Sequence, residues 1–182
     1  MTTPGRIFAV VGPSGAGKDT LIAAAREAQP DLVIVRRVIT RPTEAGGEDF
    51  DGTTVADFAR RRAAGEFTLD WQAHGLCYGI PADQIALAAS GRDVMFNGSR
   101  AALDVARDRL PGLRVIVVTA PDAVLAERLA GRGRESHAQI VDRLARASYA
   151  LPEGFAVSVV LNDSTREVGA QRFLDALQAE SA

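Results

Sequence analysis

The chain has 182 residues, a net charge of −2 at pH 7 and 47% hydrophobic residues, a length that suffices for one α/β domain with its own core. The evenly mixed charge argues against nucleic acid as a partner, and the single cysteine, Cys77, excludes an internal disulfide and a cysteine-based zinc site. Because no apolar run approaches a membrane span and the N-terminus does not resemble a signal peptide, we expect a cytoplasmic protein without membrane contacts; a homodimer is compatible with this composition.

Strand-like and helix-like segments alternate along the chain. Short apolar runs rich in Val and Ile predict buried parallel strands at 6–11, 32–38, 93–97, 113–119 and 155–161. Helices are predicted at 18–28, 55–64, 82–89, 100–110, 122–130, 138–150 and 165–179, with start signals at Thr54-x-x-Asp57 and Ser164-x-x-Glu167. The alternation predicts a five-stranded parallel sheet with helices on both faces and ligands at the carboxyl ends of the strands.

A glycine-rich loop follows the first predicted strand and opens the first predicted helix. Its residues are Gly12, Pro13, Ser14, Gly15, Ala16, Gly17, Lys18, Asp19 and Thr20. Strand, glycine loop and helix are the context of a Walker A phosphate-binding loop, in which backbone N–H groups and the helix N-terminus face phosphate oxygens. We therefore expect a P-loop fold that binds ATP, with Lys18 reaching the β- and γ-phosphates.

Asp19 departs from the usual loop, which has Ser or Thr after the lysine as a Mg²⁺ ligand. Two interpretations stay open. In the first, Asp19 and Thr20 bind Mg²⁺, because carboxylate oxygens are strong ligands of this ion. In the second, Asp19 only stabilises the first helical turn through the helix dipole.

Two insertions interrupt the alternation. Residues 39–81 are glycine-rich with a strand-like stretch at 67–71, and we expect a small acceptor-binding subdomain there, between core segments 1–38 and 82–182 of one domain. Residues 131–137 carry Arg132 and Arg134 among glycines. Beside a P-loop this segment predicts a cationic lid over the phosphates, and the alternative is a solvated surface loop.

These features together resemble the guanylate kinase group of P-loop kinases. The residues that carry the resemblance are the P-loop, Ile39-Thr40-Arg41-Pro42, Gly65-Glu66-Phe67 with Trp71, Tyr78-Gly79, Gly91-Arg92-Asp93-Val94 and the lid arginines. Within that group, Gly17-Lys18-Asp19, Asn97-Gly98-Ser99-Arg100 and the lid are similar to the ribose 1,5-bisphosphate phosphokinases of phosphonate catabolism. The resemblance implies Mg²⁺-dependent phosphorylation of ribose 1,5-bisphosphate by ATP to 5-phospho-α-D-ribose 1-diphosphate.

Departures from guanylate kinases favour an acceptor without a base. Positions that are acidic in that group are Asn97 and Ser99 here, and a base-reading hydroxyl is Ile80. We interpret the charge missing at Asn97 as relocated to Asp19. The alternatives are a guanylate kinase with GMP as acceptor and a binding module without catalysis.

The resemblance also implies residue roles. Arg37, Arg41, Tyr78, Asn97 and Arg100 are expected to contact the acceptor, although Arg37 can also be a solubilising residue at a strand end. Lys18, Arg132, Arg134 and Arg143 are expected to act in catalysis, Arg143 being alternatively an exposed helix residue. Asn162 is expected beside the adenine, or else in a turn that starts a helix.

Overall fold

A computed structural model describes residues 3–45, 47–131, 136, 138–140, 144, 150 and 152–179. Its strands are β1 (Ile7–Val11), β2 (Val33–Ile34), β3 (Arg37–Ile39), β4 (Phe50–Gly52), β5 (Phe67–Ala73), β6 (Leu76–Pro81), β7 (Val94–Asn97), β8 (Arg114–Thr119) and β9 (Ala156–Leu161). Five of them form a parallel sheet in the order β2-β7-β1-β8-β9. This arrangement confirms the predicted doubly wound fold.

The helices are α1 (Lys18–Ala28), α2 (Val55–Ala63), α3 (Ala82–Ala86), α4 (Arg100–Arg109), α5 (Asp122–Ala130) and α6 (Arg166–Gln178), with 3-10 turns at Thr43–Ala45 and Leu87–Ser90. Residues 138–140 and 144 are helical, and the rest of the helix predicted at 138–150 lies outside the described residues except for 150. The start predicted at Ser164 is wrong by one residue, because Thr165 caps α6 by accepting a hydrogen bond from the Val168 N–H.

The start of α2 agrees with its sequence signal. Thr54 caps the helix, its hydroxyl accepting a hydrogen bond from the Asp57 N–H at 3.1 Å. The side chain of Asp57 in turn accepts hydrogen bonds from Arg60 and from the Thr53 hydroxyl. These bonds, the one from Arg60 first, hold the pKa of the Asp57 carboxyl below its usual range.

The central strands β1, β7 and β8 are buried on both faces, as their continuous apolar runs predict, whereas the edge strand β9 is partly exposed. Successive residues of β1 point to opposite sides, so Phe8 and Val10 pack with side chains of α1, α5 and α6. Ala9 and Val11 pack on the other side with α4 and with residues of the β5–β6 hairpin. Helices on both faces leave the carboxyl ends of the strands as the edge where a ligand can enter.

A second, four-stranded sheet has the order β4-β3-β6-β5. It corrects the prediction of one strand over 32–38: the chain pairs with β7 at β2, leaves the parallel sheet near Arg36, and enters the second sheet at β3. Neither β4 nor β6 was predicted. The antiparallel β5–β6 hairpin brings Trp71 opposite Tyr78.

Among the described residues, every helix is too short or too polar to span a membrane.

Candidate active site

The glycine-rich loop connects β1 to α1 and takes a shape that only glycine allows at two positions. Gly12 has φ of 154°, and a Cβ there would lie 2.0 Å from the Val118 carbonyl oxygen. Gly17 has φ of 91°, and a Cβ there would lie 2.5 Å from Nδ2 of Asn162. The loop is therefore pressed closely against β8 and against the residue that follows β9.

Lys18 lies at the first position of α1 with its ammonium turned back over the loop. Its Nζ donates to the carbonyl oxygens of Gly12 at 2.9 Å and Pro13 at 3.3 Å. This conformation holds the ammonium at the mouth of the loop, where a phosphate group has to enter.

Asp19 and Asn97 meet across the end of the sheet. Asn97 ends β7 and is in register with Val10 of the neighbouring β1, so it lies beside the first turn of α1. Its Nδ2 donates to Oδ1 of Asp19 at 2.8 Å. Two of the positions that depart from the guanylate kinase pattern are thus in direct contact.

Two further side chains support the loop from below. Asn162 is 7% exposed, and its Nδ2 donates to the Ala16 carbonyl at 2.8 Å. Arg128 of α5 donates to the Asn162 carbonyl at 2.9 Å and, more weakly, to the carbonyls of Gly15 and Ala16. The sequence indicated Asn162 but not Arg128, which stands in the last turn of a helix where basic residues are usual.

A cleft of about 340 Å³ opens between the loop and the second sheet. It brings together several of the residues indicated by the sequence, namely Ser14, Lys18, Asp19, Thr20, Arg37, Tyr78, Asn97 and Arg100. Glu48, Trp71 and His74 also line it, although the sequence did not identify them as site residues. Residues that are far apart in the chain therefore form one concave, mainly polar site at the carboxyl ends of β1 and β7.

Arg37 is the most enclosed charge of this cleft, with 8% of its side chain exposed. Its guanidinium donates to both carboxylate oxygens of Glu48, with the Nε bond at 2.8 Å, and to the Asn97 carbonyl at 2.9 Å. It also lies over the ring of Tyr78, with Cζ 5.0 Å from the centroid. These contacts tie β3 of the second sheet to the end of β7 in the parallel sheet.

The β5–β6 hairpin forms the opposite wall. Trp71 is 6% exposed and stacks on Tyr78 with the ring planes 6° apart and the centroids 5.3 Å apart. At the tip of the hairpin, exposed His74 has φ of 52° in the left-handed region and points to the same cleft. The hairpin thus combines a rigid aromatic wall with a turn that reaches toward the phosphate loop.

Arg41 does not line this cleft in the described part of the chain. Its Cζ lies 4.2 Å from the centroid of the Phe50 ring, on the second sheet. The predicted catalytic residues Arg132, Arg134 and Arg143 lie outside the described residues.

Two positions that contact the base in guanylate kinases have structural contacts here. Ile80 is fully buried in the core. Ser99 caps α4, with its hydroxyl accepting a hydrogen bond from the Ala102 N–H at 3.3 Å. Ile80 presents no polar group to a base, whereas Ser99 lines the cleft with a hydroxyl that is engaged at the start of α4.

No family model matches the chain. It is 53% identical over 150 residues to "Ribose 1,5-bisphosphate phosphokinase PhnN" of Ruegeria sp., covering 82% of this chain and 79% of that protein. It is 43% identical to the protein of the same name from Thiobacillus denitrificans, covering 98% of this chain and 95% of the relative. A "Bifunctional ribose 1,5-bisphosphokinase-thymidine phosphorylase" of Cupriavidus necator is 49% identical over 98% of this chain. The chain spans only 30% of the length of that relative.

Solved structures share the fold. Guanylate kinase from Anaplasma phagocytophilum superposes with a TM-score of 0.71 at 19% identity, covering all of this chain and 88% of the other. A gluconokinase from Sinorhizobium meliloti superposes with a TM-score of 0.54 at 20% identity, covering 98% of this chain and 94% of the other. At these identities the likeness establishes the fold alone.

Proposed function

The chain belongs to the ribose 1,5-bisphosphate phosphokinase family. From this premise we propose that it transfers the γ-phosphoryl group of ATP to ribose 1,5-bisphosphate, giving 5-phospho-α-D-ribose 1-diphosphate and ADP. One observation carries the proposal beyond the family likeness: the position of the base-reading hydroxyl is the fully buried, apolar Ile80, while cations and aromatic rings line the acceptor side of the cleft. A site without that hydrogen bond to a base has little means of preferring a nucleotide over an acceptor that has no base.

The donor side is formed by the glycine-rich loop. Its backbone N–H groups and the N-terminus of α1 would hold the β- and γ-phosphates, and Lys18 would turn from the Gly12 carbonyl to the phosphate oxygens. Arg128 and Asn162 keep the loop in the open shape that phosphates require, because they bond to its outward-facing carbonyls. Their role is positioning.

The acceptor brings its own nucleophile. An oxygen of the 1-phosphate forms the new bond to the γ-phosphorus, and the bond from that phosphorus to the β–γ bridging oxygen breaks, with its electron pair leaving on ADP. A phosphate monoester has its second pKa near ~6, so this oxygen is largely ionised at neutral pH and no general base is needed. The contribution of the protein is alignment and neutralisation of charge.

The side chains of Asp19 and Thr20 fit a Mg²⁺ ion that is held largely by nucleotide phosphates. Both line the cleft, and the bond from Asn97 fixes the orientation of the Asp19 carboxylate. Within the described residues no three His, Cys, Asp or Glu side chains cluster to hold a metal. Mg²⁺ commonly takes most of its ligands from substrate phosphates and water. When bound, Mg²⁺ would supply positive charge that neutralises the negative charge on the transferred phosphoryl group.

The remaining cations are assigned by the sequence alone. We propose that Arg132 and Arg134 close over the γ-phosphate and that Arg143 faces the phosphates from the following segment. Arg100, which begins α4 at the rim of the cleft, and Tyr78 are proposed as acceptor contacts.

The test is ADP release from MgATP with ribose 1,5-bisphosphate or GMP as acceptor, with the product identified by mass. We expect turnover of the sugar bisphosphate to 5-phospho-α-D-ribose 1-diphosphate and no turnover of GMP. Lys18→Ala, purified in the same way, is the control for contaminating kinases and should lose the activity. Turnover of GMP alone would show instead that the departures at Ile80 and Ser99 are variation within a guanylate kinase.

A further inference from the structure

Glu48 places a carboxylate in the cleft that we propose binds phosphates. Its side chain is 18% exposed and lines the cleft together with Lys18 and Arg100. Ribose 1,5-bisphosphate carries two phosphate monoesters, each with about −1.5 to −2 charges at neutral pH. A carboxylate close to either phosphate would repel it, so Glu48 is better suited to the part of the acceptor that carries no charge.

The uncharged part of this acceptor is the ribose ring with its neighbouring 2- and 3-hydroxyls. Hydroxyl groups are donors to carboxylates, and bonds to an ionised acceptor are about twice as strong as neutral ones. Arg37 occupies both carboxylate oxygens of Glu48 from one side. Since a carboxylate has about four acceptor positions, capacity for two hydroxyls remains.

Glu48 is also held in place before the acceptor arrives. Its partner Arg37 is fixed by the Asn97 carbonyl and by the face of the Tyr78 ring. An acid fixed in this way loses little conformational freedom on binding, which distinguishes it from a mobile surface carboxylate.

We propose that Glu48 determines specificity for the sugar by accepting hydrogen bonds from the 2- and 3-hydroxyls of the ribose ring. This inference rests on the proposed function. Arg37 then acts as the residue that positions Glu48 and lowers the repulsion between the carboxylate and the acceptor's phosphates.

The experiment compares ribose 1,5-bisphosphate with 2-deoxyribose 1,5-bisphosphate, which lacks one of the two hydroxyls. For each protein, kcat/KM is measured with both acceptors under MgATP, and the affinity for both is measured by calorimetry without ATP. We expect the wild type to prefer the ribose form about 10- to 100-fold, the range for a lost hydrogen bond to a charged group. The preference should fall about tenfold in Glu48→Gln and approach one in Glu48→Ala.

Asp49→Asn is the matched control. Asp49 is the neighbouring carboxylate and also pairs with an arginine, Arg36, at 3.0 Å, but it is exposed and does not line the cleft. It should keep the preference of the wild type. Because the ratio of two acceptors is taken on each preparation, general damage to the fold cancels.

Two outcomes would overturn the inference. If the wild type uses ribose 1,5-bisphosphate but Glu48→Gln and Glu48→Ala keep its full preference for the 2-hydroxyl, Glu48 only supports Arg37 and the proposed function stands. If the wild type does not phosphorylate ribose 1,5-bisphosphate at all, the proposed function and the role of Glu48 both fail.

Discussion

At the scale of single residues, Asp19 and Asn97 are in contact, so moving the carboxylate from position 19 to position 97 can be tested. We expect Asp19→Ser to lower kcat/KM about 100-fold, since it removes the carboxylate assigned to the metal. Because the side chains are in contact, their effects should not add. The double variant Asp19→Ser with Asn97→Asp moves the carboxylate to the end of β7 and should recover most of the loss. A double variant as inactive as Asp19→Ser would contradict a relocated metal ligand.

Arg128 offers a second test at this scale. Its guanidinium bonds to carbonyls of the phosphate loop and of Asn162, so Arg128→Met should loosen the loop while keeping the packing of the side-chain stem. We expect the KM for ATP to rise about tenfold, the effect of one lost charged hydrogen bond, and the KM for the acceptor to change less than about twofold. Glu127→Gln, an exposed neighbour on α5, is the control. An equal rise in both KM values would argue against a role confined to the loop.

At the scale of secondary structure, the cap of α2 stabilises a helix that packs on the second sheet, with Phe58 stacked on Phe67 of β5. Thr54→Ala removes the acceptor for the Asp57 N–H and should lower the free energy of unfolding by about 1 kcal/mol. Val55→Ala is the control, because Val55 is 69% exposed and its truncation should change stability by less than about 0.5 kcal/mol. Urea denaturation measures both. Equal stabilities of the two variants would show that the cap contributes nothing.

Three parts of the sheets were not predicted correctly from sequence patterns, and each has a physical reason. The run over 32–38 reads as one buried strand because no Gly or Pro marks the point near Arg36 at which the chain changes sheets. Phe50–Gly52 is too short to show alternation, and Leu76–Pro81 contains a glycine and a proline that indicate turns. These strands exist because partners distant in the chain, such as β3 for β4, supply their hydrogen bonds.

At the scale of the whole molecule, Arg6 connects the start of β1 to the last helix, α6, and to Asp93 just before β7. The Asp93 carboxylate accepts hydrogen bonds from the backbone N–H of Arg6 at 2.7 Å and from its guanidinium. The same guanidinium donates to the Leu177 carbonyl of α6 at 2.7 Å. Burial raises the pKa of the Asp93 carboxyl, but the bonds from Arg6 outweigh it and the pKa lies below its usual range.

The sign of the pH effect follows from that direction. A lowered pKa in the folded state stabilises the protein fully above the unfolded value of about 3.9, and this contribution is lost as pH falls through the folded value. We expect Asp93→Asn to have a lower urea midpoint than the wild type at pH 7, with the difference shrinking below about pH 4. A difference that is constant with pH would show that the pair does not titrate on unfolding.

The sequence predicted the parallel sheet, its helices and the phosphate-binding loop, but not every residue of the cleft. The P-loop and its lysine follow from a local pattern, because strand, loop and helix fix them together, whereas Asn97 was indicated by the family resemblance. Arg128 and Glu48 were not identified, since a basic residue at a helix end and an acidic residue in a loop look like ordinary surface charges. The pairing of β3 with β4 inside the second sheet places Glu48, which directly precedes β4, against Arg37.

Trp71 is the only tryptophan of the chain, and it stands in the wall of the cleft, stacked on Tyr78. Under selective excitation of tryptophan, the emission of the protein therefore arises entirely beside the proposed acceptor site. A ligand that displaces water or moves a charge near this ring should change the emission in proportion to occupancy. Acceptor affinity can then be followed by fluorescence without a label, without turnover and in variants that have lost catalysis.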